Sequence, residues 1–208
     1  MVEVSLAIDG VRYECQPVTE EQGAPAAPSA PWEDVRARMP RNQLPDNCKL
    51  IASRGGWWQR ELSAIDGIAI HHTMTNNLEA TAAWITKPKS AGGKGHATSQ
   101  YHFWVAADGR ALYCVDLREG LWHDHAGDEN THISIGMAGR LDFAPPPDVQ
   151  LQAAVRLVWY LMREFMIPRE NVAGHNDWAW SVSRVKTVCP GWDKAGWRSA
   201  FFAALGEM

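Results

Sequence analysis

Residues 151–165 carry an apolar stripe with the spacing of an α-helix. The stripe consists of seven apolar residues that recur at intervals of three and four: Leu151, Ala154, Val155, Val158, Leu161, Met162 and Phe165. Pro168 follows shortly afterwards and ends the predicted helix. A helix with a single apolar face has to bury that face against another layer of structure.

Two short runs rich in β-branched residues supply the partner layer. GIAIHH, residues 67–72, and HISIGMAG, residues 132–139, predict central strands that are buried on both faces. The segment after the first strand predicts a helix, whose capping box is Asn76 and Glu79 and which Pro88 ends.

The remaining segments continue the alternation of strand and helix. Residues 101–116 predict a hairpin turned at an Asp-Gly pair, and residues 196–205 predict a last helix. Because strands and helices interleave, the expected fold class is α/β, with a central mixed β-sheet flanked by helices.

The amino-terminal part of the chain differs in composition from the rest. Residues 1–17 predict a small β-hairpin extension around an Asp-Gly turn. Residues 18–47 are rich in proline and alanine and predict a linker, with a short helix near residues 32–39. The main domain is therefore expected to span residues 48–208.

Composition excludes several classes of partner. The chain of 208 residues is 46% hydrophobic and 21% charged, as in globular proteins, and its net charge of -4 argues against nucleic acid. It has no apolar run of about 18 residues, so we expect no membrane insertion. The opening residues lack the pattern of a secretory signal, which favours synthesis in the cytoplasm.

Four scattered cysteines form no disulfide framework, and the disulfide state of Cys15, Cys48 and Cys114 stays open.

Three residues far apart in the chain form a candidate metal set. His71 and His72 end the first central strand, and successive strand residues point to opposite faces, so at most one of them enters a given site. His175 lies in GHNDW, and Cys189 precedes Pro-Gly. Two imidazoles and a thiolate with an open fourth position are typical of catalytic zinc, although this spacing alone is a weak signal.

Five motifs in order carry a family resemblance. IAIHHT, YHFWVAADG, WHDHAG, SIGMAG and GHNDW followed by CPG resemble zinc-dependent N-acetylmuramoyl-L-alanine amidases over roughly residues 60–192. This family includes bacteriophage endolysins and animal peptidoglycan recognition proteins. The resemblance implies a Zn²⁺ cofactor held by His71, His175 and Cys189, with His72 pointing away.

The resemblance also implies catalytic side chains. Tyr101 matches the family's active-site tyrosine, which can donate to a carbonyl oxygen as that oxygen gains negative charge. The family has lysine or threonine two positions before its third ligand. Thr187 has this register here, whereas Lys186 has the charge and the reach, and the choice between them stays open.

Substrate contacts are implied around the WHDHAG motif. Either His123 or His125 matches a histidine that lines the substrate groove. A fourth protein ligand would close a zinc site, so neither histidine is assigned to the metal. Asn130 in the same loop is a candidate for binding the stem peptide. Trp178, with Trp180, is a candidate platform for sugar or peptide if the segment is extended, and edge packing is the alternative.

The function implied by the resemblance is hydrolysis of bacterial peptidoglycan. A zinc-activated water would cleave the amide between N-acetylmuramic acid and L-alanine of the stem peptide. Cys189 stands where muropeptide-recycling amidases of the cytosol have aspartate, which favours a phage or prophage endolysin, made in the host cytoplasm and acting on the cell wall after release. We expect a monomer. The alternatives are a non-catalytic recognition module, a recycling amidase and, from another class, a thiol peptidase.

Overall fold

The computed structural model describes most of the chain. It covers residues 5–8, 11–14, 30–42, 58–121, 123–124, 131–184 and 186–208. The chain divides into two compact units, Met1–Ala30 and Pro31–Met208. In the small unit, strands β1 (Ser5–Ile8) and β2 (Val11–Glu14) pair antiparallel.

The large unit contains eight further strands and five helices among the described residues. The strands are β3 (Glu33–Asp34), β4 (Trp58–Gln59), β5 (Gly67–His72), β6 (Phe103–Val105), β7 (Ala111–Tyr113), β8 (Glu119–Gly120), β9 (His132–Met137) and β10 (Val172–Gly174). The helices are α1 (Leu78–Thr86), α2 (Asp148–Glu164), α3 (His175–Ser183), α4 (Trp192–Ala195) and α5 (Arg198–Gly206). Of the described helices, none combines the length and apolar character that a membrane span requires.

A six-stranded mixed sheet organises this unit, in the order β10-β5-β9-β6-β7-β3. Every neighbouring pair is parallel except β6 and β7, which form the predicted hairpin. All residues of the central strands β5 and β9 are buried, as their β-branched runs predict. The predicted α/β fold is confirmed.

Apolar side chains cover both faces of the sheet. One cluster joins Ile68 and Ile135 to the stripe of α2 and to the last helix through Val158 and Phe201. A second cluster on the other face brings Trp104 together with residues of α1. The predicted stripe of α2 therefore packs where its period places it, with Ala154, Val155, Val158 and Leu161 buried.

The segment before the main domain lies differently from its prediction. Residues 31–42, assigned above to the linker, belong to the large unit. β3 adds a parallel edge strand next to β7, and Val35 and Met39 are buried in the second cluster. The helix predicted near residues 32–39 is only a 3₁₀ turn, Arg36–Arg38, because the preceding residues pair with the sheet.

Two helix starts also differ from expectation. Asn77 caps α1, accepting from the backbone N–H of Ala80 at 2.8 Å, one residue later than the predicted cap. The segment after β10 is helix α3 and not an extended strand. The two-residue alternation considered for the Trp178 platform therefore does not apply to this segment.

Candidate metal centre

The three candidate ligands meet at the carboxyl ends of parallel strands. His71 is the penultimate residue of β5, and His175 follows β10 directly as the first residue of α3. These two strands are neighbours in the sheet, with Gly174 opposite Ile70. Since the carboxyl ends of parallel strands share one sheet edge, the two histidines lie side by side.

A close backbone approach brings Cys189 to the same edge. A Cβ on Gly174 would lie 2.6 Å from Cδ of Pro190, so only glycine admits the loop that follows Cys189. The backbone N–H of Asn176 donates to the Cys189 carbonyl at 2.7 Å. Glycine before one ligand thus allows the approach of the other.

The spacing of the donor atoms is close to that of a tetrahedral zinc site. The ligand atoms of His71, His175 and Cys189 all lie within 4.8 Å of one another, and Nδ1 of His71 is 3.7 Å from Sγ of Cys189. Bonds of about 2.0 Å to nitrogen and 2.3 Å to sulfur at a tetrahedral angle separate the nitrogen from the sulfur by about 3.5 Å. The side chains present therefore fit a zinc ion.

Burial keeps two of these ligands, His71 and Cys189, neutral when no cation is near. His71 and Cys189 are only 3% and 8% exposed. Burial raises the pKa of the Cys189 thiol to about 12, and burial with the charges of His175 and His123 lowers the pKa of His71 well below its usual range. A thiol in this environment is a poor nucleophile by itself, whereas a bound cation would deprotonate it.

The second histidine of the pair points to the other side of the strand. His72 Nδ1 lies 3.8 Å from Oδ1 of Asp142, a carboxylate that Lys194 approaches at 3.3 Å. The backbone N–H of His72 donates to Sγ of Cys189 at 3.4 Å. His72 therefore contributes its backbone to the sulfur and its ring to packing against Asp142.

Tyr101 packs beside the metal ligands because a glycine leaves room for its ring. Gly136 of β9 pairs with His71 of β5, and a Cβ on Gly136 would lie 2.9 Å from the ring of Tyr101. The ring centroids of Tyr101 and His71 are 5.8 Å apart. Burial, with the nearby Cys189, raises the pKa of the Tyr101 phenol well above its usual range, so the group keeps its proton.

The two residues before the third ligand occupy different environments. Oγ1 of Thr187 accepts the backbone N–H of Cys189 at 3.2 Å, and its side chain is half-buried. Lys186 is exposed. Thr187 thus stabilises the turn that carries the thiol.

The residues of the WHDHAG motif are placed in part. His123 is buried, with Nδ1 3.0 Å from Nε2 of His71. Burial lowers the pKa of His123 to about 4.

Of the other candidate substrate contacts, His125 and Asn130 lie outside the described residues. Trp178 stacks on the ring of His132 at 4.0 Å and donates from Nε1 to the carbonyl of Ile68 at 3.2 Å.

Sequence reasoning missed two polar residues beside this cluster. His132 received no role in the sequence analysis, but it is buried at the start of β9, with Nδ1 2.5 Å from Oδ2 of Asp124. Asp124 is fully buried. The signal available in the sequence was a charged residue beside His123 and a histidine that opens a predicted central strand.

Comparisons with known proteins agree with this geometry. A family model described as N-acetylmuramoyl-L-alanine amidase matches residues 61–192, a range that includes all three candidate ligands. The chain belongs to this amidase family. The resemblance found in the sequence is thereby confirmed, and no curated protein matches the chain closely enough to count as a relative.

Solved structures of an amidase, an endolysin and a recognition protein share the fold. The N-acetylmuramoyl-L-alanine amidase LysC from Clostridium intestinale is 21% identical, with a TM-score of 0.53 over 69% of this chain and 88% of that one. The Ph2119 endolysin from a Thermus scotoductus bacteriophage is 18% identical, with a TM-score of 0.52 over 67% and 89%. A human peptidoglycan recognition protein bound to a muramyl pentapeptide is 21% identical, with a TM-score of 0.51 over 64% and 80%. At these identities the likeness establishes a common fold.

Proposed function

We propose that this member of the amidase family is a zinc-dependent peptidoglycan hydrolase. It cleaves the amide between N-acetylmuramic acid and the L-alanine of the stem peptide. The observation that carries the proposal is the meeting of His71, His175 and Cys189, whose ligand atoms lie within 4.8 Å of one another beside Tyr101. Family membership over residues 61–192 supports the choice of this amide as the bond that is cleaved.

His71, His175 and Cys189 would hold the zinc ion, leaving a fourth position for the reaction. Three protein ligands are the pattern of catalytic zinc, whereas structural zinc sites use four. When bound, zinc supplies Lewis acidity and makes hydroxide available near neutral pH. Imidazoles bind metals as neutral ligands, and the burial of His71 favours that state.

Tyr101 would stabilise the negative charge that develops on the substrate carbonyl oxygen. Its phenol stays protonated, so it can donate a hydrogen bond to that oxygen. A donor in a poorly hydrated site interacts more strongly with developing charge than one in water. Tyr101 also sits against Gly136, which fixes the ring near His71.

Lys186 and Thr187 would have different roles in the mechanism. Thr187 holds the backbone of Cys189, which is a positioning role. Lys186, exposed three residues before Cys189, has the charge and the reach for a developing oxyanion. His125, Asn130 and Trp178 stay candidate contacts to sugar or stem peptide.

The biological setting we propose is release from a host cell. The protein would be a phage or prophage endolysin, made in the cytoplasm, acting as a monomer on the wall after release. Relatives in fold include both an endolysin and a recognition protein, so the main rival is a module that binds peptidoglycan without cutting it. The complete donor set favours catalysis. The buried thiol with a pKa near 12 argues against a thiol peptidase.

Product analysis on isolated cell wall tests the proposal. Purified peptidoglycan is incubated with the protein, with and without a chelator, and the products are identified by mass spectrometry. We expect stem peptides with a free L-alanine amine and glycan strands without peptide, and no such products after chelation. Intact peptidoglycan with tight binding would instead mean a recognition module. The same products with chelator present would exclude the zinc mechanism.

A further inference from the structure

A buried contact between two histidines lies on the far side of the candidate metal centre. Nε2 of His71 and Nδ1 of His123 are 3.0 Å apart, and the ring planes are inclined by 76°. The two residues are 3% and 8% exposed. A contact of this length between ring nitrogens requires one hydrogen atom between them, so one imidazole donates and the other accepts.

The direction of this hydrogen bond follows from the other edge of the His71 ring. Nδ1 of His71 faces Cys189 Sγ at 3.7 Å and is the nitrogen suited to a metal. An imidazole that binds a metal through Nδ1 keeps its hydrogen on Nε2. His71 is then the donor and His123 the acceptor. Because the two nitrogens of a ring diverge, His123 lies away from the metal and is not a fourth ligand.

We propose that His123 is the positioning residue for the metal-binding histidine. By accepting from Nε2 of His71, it fixes the tautomer and the ring orientation of that ligand. This inference rests on the proposed zinc site. Metal-binding histidines usually donate their second N–H to a carboxylate, a carbonyl or water, and loss of such a partner weakens metal binding. Here the partner is another imidazole.

Asp124, the residue next to His123, connects this part of the chain to the sheet. Asp124 is fully buried, and its Oδ2 accepts from Nδ1 of His132 at 2.5 Å. His132 is held in turn by β9, by the stacked ring of Trp178, and by Gly67. A Cβ on Gly67 would lie 2.6 Å from Cδ2 of His132, so the ring occupies space that any other residue would take. The chain of contacts runs from the sheet through His132 and Asp124 to His123.

Equilibrium zinc affinity of the full chain tests this inference without relying on activity. Wild type, His123→Leu and His123→Asn are compared by competition with a chromophoric chelator, and by the visible spectrum after loading with Co²⁺. Leucine fills the volume but cannot accept, whereas the asparagine Oδ1 can occupy the place of Nδ1. His96→Leu, a half-buried histidine elsewhere, is the matched control. Circular dichroism checks that each variant is folded.

We expect zinc affinity to fall about 10–100-fold in His123→Leu. Most of the affinity should return in His123→Asn, and His96→Leu should behave as wild type. Equal affinity in wild type and His123→Leu would overturn the inference while leaving the zinc site intact. An equal loss in both His123 variants would also overturn it, because the role would then be packing. A wild-type chain that binds no zinc would refute the proposed function itself.

Discussion

Gly174 and Pro190 approach each other so closely that a Cβ on Gly174 would lie 2.6 Å from Cδ of the proline. Gly174 ends β10 and precedes His175, whereas Pro190 follows Cys189. Two of the three candidate ligands therefore depend on one contact that has no room for a side chain. Because each contact residue is next to a ligand in the sequence, the contact brings His175 and Cys189 to the same metal centre.

Substitution of Gly174 by alanine should separate His175 from Cys189. The added methyl group forces a backbone shift in a packed region, at about 1–3 kcal/mol of stability, and it moves the turn that carries the thiol. We expect Gly174→Ala to lose zinc affinity, measured by chelator competition. Gly206→Ala is the matched control, because a Cβ there meets only the flexible end of Arg169, at 3.2 Å. Unchanged zinc affinity in Gly174→Ala would disprove this role.

Tyr101→Phe should separate catalysis from metal binding. The variant keeps the ring that packs against Gly136 and removes only the phenolic O–H. Loss of one donor to a developing oxyanion costs about 100–1,000-fold in kcat. We expect a loss of that order on isolated peptidoglycan, with zinc content unchanged by metal analysis. Full activity in Tyr101→Phe would remove the phenol from the mechanism.

Lys186 and Thr187 should give opposite patterns. Thr187→Ala removes the acceptor of the Cys189 N–H, so we expect weaker zinc binding, with Thr187→Ser close to wild type. Lys186→Ala should leave zinc affinity unchanged and lower kcat. Metal competition and peptidoglycan turnover, measured on the same preparations, distinguish the two. If Lys186→Ala retains full turnover, the charged role of this side chain is wrong.

Acid should destabilise the metal-free protein through buried neutral histidines such as His102. Nδ1 of His102 accepts the backbone N–H of Ser134 at 2.9 Å, and Nε2 donates to the carbonyl of Glu119 at 2.9 Å, so the ring has no place for a second proton. Burial, with the charge of Arg60, lowers the pKa of His102 well below 6.5. The unfolded chain therefore binds more protons, and the stabilisation present above about pH 6.5 is lost as the pH falls.

Urea unfolding between pH 8 and pH 5 measures this effect. Each such histidine contributes a slope of up to about 1.4 kcal/mol per pH unit below pH 6.5. We expect the free energy of unfolding to fall with pH in wild type, and to fall less steeply in His102→Gln. A flat profile in wild type would show that the buried histidines do not control acid stability.

The sheet and the long helices were predictable because their signals are local. The β-branched runs of β5 and β9 and the stripe of α2 each contain their own period. The edge strand β3 was missed because two residues carry no period, and its pairing with β7 is long-range. Helix α3 was missed because its N-cap is a glycine without a capping side chain, and Asp177 accepts the backbone N–H of Gly174 at 3.0 Å instead.

The candidate ligands could be named from the sequence, but their support could not. His71, His175 and Cys189 each occur in a short motif that matches a family pattern. The contact between His123 and His71 joins residues 52 positions apart, and nothing near either residue specifies it. Likewise, no local pattern in the sequence specifies the pairing of Asp124 with His132.

The most direct test of the zinc mechanism is a metal titration of the purified full chain. Zinc is removed by chelation and dialysis, then added back stepwise while release of free amine from peptidoglycan is recorded. The account predicts no activity without metal, and full recovery at one zinc per chain, with no recovery in His71→Ala. Activity that persists in demonstrably zinc-free protein would contradict the account.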